Sequence, residues 1–187
     1  ELELISSIYS FEKLRTGSFL YIDKTEYLWN LLRPSCGMYF LSRPRRFGKS
    51  LTLSTLKAVF EGKKELFKGL ALYDKPYSWE KHPVIHLDMN GRRFDTLENL
   101  ERSLREILKE QALVHKVELE YEASETMFQK LILRLSEQGG VVVLLDEYDK
   151  PILENILSPD AQKFMDALKS FYSVIKGKAE LFRFVFV

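Results

Sequence analysis

A single cysteine, Cys36, is all the chain carries in 187 residues. That rules out disulfides and a cysteine metal centre, and it suits a reducing cytoplasm, the compartment expected here. The three histidines, His82, His86 and His115, lack metal-ligand spacing and have no cysteine beside them, so structural roles are expected. Charge of one sign is also missing: the net charge is +1, which gives no bulk field for nucleic acid. The apolar runs are too short to span a bilayer and there is no basic-then-apolar leader, so no membrane partner is expected. Internal repeats, low-complexity tracts and linkers are absent as well.

With 45% hydrophobic and 29% charged residues, the chain has the balance of an ordinary soluble globular protein, and its length fits one α/β domain over residues 1–187. Phe19 to Ile22 reads as a short strand after a break at Gly17. Asp23-Lys24-Thr25-Glu26 has the form of a capping box for a helix to about Leu32. Further helices are expected from Gly48 to about Phe60, in a short piece near Glu65 to Lys68, from Asp95 (capped with Glu98) to about Val114, and from Ser124 to about Gln138. The last should open at Ser158-Pro159 and run to Gly177. Strands are expected at Met38 to Ser42, Pro83 to Met89, Val141 to Asp146 and Leu181 to Val187. Continuous β-branched runs such as Val141 to Leu145 fit strands covered on both faces. Alternating strands and helices imply right-handed crossovers and a mostly parallel sheet with helices on both sides.

Phe40 to Leu51 links a strand to a helix through a compact basic turn ending Gly48-Lys49-Ser50. Free amides at a helix start and the helix dipole favour an anion there, so the amides of residues 46 to 51 (Arg46, Phe47, Gly48, Lys49, Ser50 and Leu51) form the expected phosphate cradle. Lys49 can reach a terminal phosphate and the Ser50 hydroxyl can ligate magnesium. The pattern G-x-x-x-x-G-K-[ST] is met only in part, because Arg43 stands at the first glycine position. Alone, the stretch reads equally as a basic surface turn capping a helix.

A second motif, Val141 to Glu147, is a buried strand ending in two carboxylates. Ligands of parallel α/β sheets sit beyond the carboxyl ends of the strands, so the two motifs should meet. Asp146 would hold magnesium, and Glu147 would orient or deprotonate the attacking water. Read in isolation the same pair is a solvated strand end. Arg43, Arg45 and Arg46 could neutralise a triphosphate, with Arg46 preferred over Arg45, or contact a nucleic-acid backbone. Asp149 could extend the acidic site, while Lys150 belongs to an Asp-Lys-Pro turn. Tyr21, Phe47 or an aromatic of residues 73–79 could stack a base, or serve as core or rim.

Tyr21-Ile22-Asp23-Lys24-Thr25, Phe40 through Ser50, and Leu145-Asp146-Glu147-Tyr148-Asp149-Lys150-Pro151 together resemble the bacterial AAA-ATPase-like domain family. The resemblance covers nearly the whole chain. It implies a three-layer P-loop NTPase of the additional-strand type, ATP and Mg2+ as cofactors, and Arg43 as the family's own version of the loop. It also implies that Leu181 to Val187 is a fourth strand inserted between the first and third, and that a nuclease domain of the PD-(D/E)xK superfamily follows. Nucleic acid would be a partner through that domain. The chain starts at Glu1 and stops inside the apolar run Phe184 to Val187, so it is expected to be a piece of a longer protein, cut after its fourth core strand. Three functions remain open at this point: an ATP hydrolase, a nucleotide-dependent switch with negligible turnover, and a nucleic-acid-binding module.

Overall fold

A computed structural model describes residues 10–17, 19–41 and 48–187. Helices α1 (Phe11–Thr16) and α2 (Thr25–Leu32) lead into β1 (Gly37–Tyr39), and α3 (Lys49–Phe60) follows. Then come β2 (Val84–Asp88), α4 (Leu97–Val114), α5 (Ser124–Ser136), β3 (Val141–Asp146), α6 (Lys150–Asn155), α7 (Ala161–Gly177) and β4 (Phe182–Phe186). A 3₁₀ turn at Lys64–Phe67 stands where the short helix was expected.

The four strands form one parallel sheet in the order β1-β4-β3-β2. The last strand thus lies between the first and the third, as the resemblance implies. Every residue of β3 is buried, which explains its unbroken apolar run, since a burial worth about 1.5–3 kcal/mol per Val or Leu side chain is available on both faces. One core layer joins the sheet to α3 through Leu53, Leu56, Val59, Val142, Leu144 and Phe184. The other joins it to α4, α5 and α7 through Leu104, Leu108, Phe128, Leu131, Phe171 and Val143. Among the described residues, no helix is long and apolar enough to cross a membrane.

Several local expectations are corrected. Residues 19–22 form no strand: Phe19 makes an isolated bridge, Leu20 and Ile22 are exposed, and Tyr21 packs edge-on to Phe11 at 5.2 Å between ring centroids. The preceding helix α1 was not legible because only Phe11 and Leu14 of its six residues are buried. Asp23 does accept from the first turn of α2, taking the Thr25 N–H at 2.8 Å and its hydroxyl at 2.7 Å, but its second oxygen holds the Ala71 N–H at 2.7 Å. Glu26 turns away to Lys75 Nζ at 2.9 Å, so no reciprocal box closes. At α4 the cap is Thr96, whose hydroxyl oxygen accepts the Asn99 N–H at 3.1 Å. Asp95 is instead engaged by the Asn99 side chain at 2.6 Å and by Arg93 at 3.0 Å. Helix α7 begins at Ala161 behind Asp160, and Ser158 forms a turn before it, accepting the Asp160 N–H at 3.2 Å. Strand β1 is shorter than expected, although Leu41 N–H still donates to Val187 at 2.8 Å. Ser42 lies outside the described residues.

Candidate functional site

Parallel strands deliver their carboxyl ends to one edge of the sheet, and both sequence motifs arrive there. Gly48 caps α3 in the left-handed region, with φ 77°. An added Cβ at Gly48 would meet nothing within 4 Å among the described residues, so it is the dihedral that calls for glycine there. Thr52 ties its N–H and hydroxyl back to the Gly48 carbonyl at 2.9 and 3.0 Å. Lys49, Ser50 and Leu51 make the first turn of α3, whose N–H groups have no partner within the helix. Arg43, Arg45, Arg46 and Phe47 lie outside the described residues.

Opposite them, Asp146 closes β3. It is 3% exposed, and its Oδ1 is buried without a hydrogen-bond partner among the described residues. A carboxylate oxygen left unpaired in the interior costs free energy unless a cation or donor completes it. Among the described residues no group of three or more His, Cys, Asp or Glu side chains could hold a metal by itself. A magnesium ion bound through one or two carboxylates plus phosphate oxygens fits that donor set, because Mg2+ keeps few protein ligands.

Glu147 follows in the left-handed region, with φ 53°, where a side chain is strained. The turn carries the chain off the sheet into α6, with Lys150 N–H donating to the Glu147 carbonyl at 3.0 Å. Glu147, Asn90, Lys150, Leu153 and Glu154 line an open cleft of about 440 Å³ at the ends of β2 and β3. The expected Asp-Lys-Pro turn is thus the entry of α6. Lys150 Nζ donates to the Met89 carbonyl at 3.4 Å and lies 3.8 Å from Glu154. Asp149 is the N-cap of α6 without a side-chain bond.

Tyr148 was quoted in the family stretch but given no role by sequence reasoning. Its ring lies 5.1 Å beneath Lys49 Nζ and meets Phe40 edge-on at 5.7 Å, so it joins the two motifs among the described residues. Burial raises its phenol above the ordinary value, with a further push from Asp149. Its carbonyl accepts the Tyr172 hydroxyl at 3.2 Å, and Tyr172, buried beside Asp149 and Tyr148, is also raised. The only advance signal was adjacency to Asp146-Glu147.

The histidines and the aromatic pair Tyr77 and Trp79 make packing or backbone contacts instead. His82 Nδ1 sits 3.0 Å from the Gly140 carbonyl and His115 Nε2 sits 2.8 Å from that of Val84. Burial lowers both His82 and His86. Tyr77 and Trp79 pack on each other and Trp79 on Phe67, flanking the α3 layer rather than the strand ends.

The model of the AAA-ATPase-like family, described as Predicted AAA-ATPase, matches residues 6–187. A protein of Azotobacter chroococcum mcd 1, described as an uncharacterized protein in the vnfD 5′ region, is 41% identical over 184 residues. That similarity covers 95% of this chain but 35% of the relative, so the chain spans about a third of that protein's length. No solved structure matches the chain significantly.

Proposed function

The chain belongs to the Predicted AAA-ATPase family, and we propose that it is a P-loop ATPase domain of the additional-strand type that binds ATP with magnesium and hydrolyses it. The observation that supports this best is Lys49 at the start of α3 lying over Tyr148, the residue that follows Asp146-Glu147. Two motifs far apart in sequence thereby share one sheet edge.

In this reading the α3 amides and Lys49 bind the phosphates, and Ser50 with Asp146 would hold the magnesium ion. When bound, magnesium supplies charge neutralisation on the phosphate oxygens. Glu147, which lines the open cleft, takes a proton from the attacking water or orients it. We assign the amides of residues 46 to 51, with Arg43 and Arg46, to the rest of the cradle. Because the chain spans about a third of its relative, we assign the energy of hydrolysis to work done by the rest of the protein. The nuclease region implied by the resemblance is the proposed effector.

The test separates binding from turnover. Lys49→Ala should lose nucleotide binding, whereas Glu147→Gln should bind ATP and release no phosphate. Equal loss of affinity in both variants would sink this division of roles. ADP that survives purification, with no phosphate release by the wild type, would favour a nucleotide switch over a hydrolase.

A further inference from the structure

Asp88 ends β2 as Asp146 ends β3, and the two are register partners in neighbouring parallel strands. Val84, Val142 and Leu144 face the α3 layer, whereas Ile85, Leu87, Val143 and Leu145 face the other. Alternation then puts Asp88 and Asp146 side by side on the α3 face of the sheet, at the end where α3 begins. Strands lie about 4.8 Å apart, so the carboxylates are close neighbours of like charge. Their environments differ. Asp146 is buried with Oδ1 unpartnered among the described residues, while Asp88 is exposed and its Oδ1 accepts the Asn90 N–H at 2.8 Å and the Asn90 side-chain amide at 2.9 Å.

We propose that Asp88 is a second metal-positioning carboxylate, which together with Asp146 recruits the magnesium ion of the nucleotide. The inference rests on the ATP reading above and adds a residue to it. Two adjacent carboxylates repel each other when no cation lies between them, and a divalent cation brought by phosphate removes that repulsion. The Asn90 contacts hold one Asp88 oxygen, leaving the other for the cation or one of its waters. Mg2+ suits this arrangement because it is commonly held by one or two carboxylates plus substrate phosphates.

The experiment titrates the protein with a fluorescent ATP analogue, in excess magnesium and in EDTA, for the wild type, Asp88→Asn and Asp146→Asn. Asparagine keeps an oxygen for Asn90 and removes only the charge. Asp88→Asn should bind at least as tightly as the wild type in EDTA, and should lose about tenfold of the gain that magnesium gives. Asp146→Asn should lose more. An undiminished magnesium gain in Asp88→Asn, with that gain lost in Asp146→Asn, overturns this inference and leaves the ATP site standing. Absence of binding by the wild type in both buffers removes the ATP reading and this one with it. A lower thermal midpoint of Asp88→Asn in metal-free buffer, or equal weakening in both buffers, makes Asp88 a structural residue and also overturns the proposal.

Discussion

Glu147 occupies a conformation that its side chain disfavours, and replacing it should separate stability from activity. At φ 53° an L-residue costs roughly 1–2 kcal/mol relative to the right-handed region. Glycine removes that strain, but its greater freedom in the unfolded chain takes back about 0.5–1 kcal/mol. The half-buried Glu147 side chain forfeits little packing, so Glu147→Gly should gain about 1 kcal/mol. For a chain of this length that is a rise of about 2–4 °C in midpoint. Glu147→Gln keeps the strain and should show no gain. Lys116 is the control: at φ 56° it follows the C-cap of α4, where Val117 N–H reaches back to Ala112 at 2.8 Å, a position at which glycine is usual. Lys116→Gly should gain a similar amount and leave phosphate release unchanged, whereas Glu147→Gly should abolish release and retain nucleotide binding. Thermal and urea unfolding beside a phosphate-release assay decide the matter. A Glu147→Gly protein less stable than the wild type, with Lys116→Gly stabilised, would refute the reasoning: Glu147 would then be held by its own contacts and not against them.

Gly48→Ala should lower the thermal midpoint by about 2–4 °C, from a dihedral cost of roughly 1 kcal/mol, and should weaken ATP binding as well; an unchanged midpoint refutes it. Tyr148→Phe should bind ATP as the wild type does, whereas Tyr148→Leu, which removes the ring beneath Lys49, should weaken binding about threefold to tenfold by titration. His82 is lowered chiefly by burial, against the raising effect of its bond to the Gly140 carbonyl. The unfolded chain therefore takes up the proton first as pH falls. The contribution of neutral His82 is fully present above about pH 6.5, its unfolded value, and declines below that. His82→Gln should flatten that limb of a urea-unfolding series between pH 7 and 5, and an identical slope would count against it.

Strand β3 was legible to the residue because both its faces are apolar, and the helices α4, α5 and α7 because their apolar period survives most of their length. The sheet edge followed from parallel topology alone. The helix starts were misread where several polar residues compete: Asp95 and Thr96 can both cap α4, and only the positions of Arg93 and Asn99 decide between them. Helix α6 is too short for a period to show. The left-handed Glu147 and the bridging Tyr148 depend on where α3 and Phe40 lie in space, which local residue order does not encode. Position 88 was visible as a strand end, but its pairing with Asp146 required the register.

The charges of the site are held apart by the backbone. Lys49 is fixed at the first turn of α3 and Asp146 at the end of β3, with Lys49 Nζ over the Tyr148 ring and Asp146 Oδ1 unpartnered. At 4 Å and an effective dielectric near 20, an ammonium and a carboxylate attract by about 4 kcal/mol. A cation–π contact contributes about 0.5–1 kcal/mol at an exposed site and about 2 kcal/mol or more when desolvated. The ring contact is therefore weaker than a close ion pair, and Lys49 lies over Tyr148 with no ion pair to Asp146 among the described residues, so we infer that the placement of the two elements keeps them apart. An inorganic anion would then satisfy Lys49 and leave Asp146 unpaired, and a free divalent ion would do the reverse. In the proposed ATP site, a ligand that offers anionic oxygens on one side and a bound cation on the other would complete both, so the separation predicts a preference for a metal–nucleotide complex over either component.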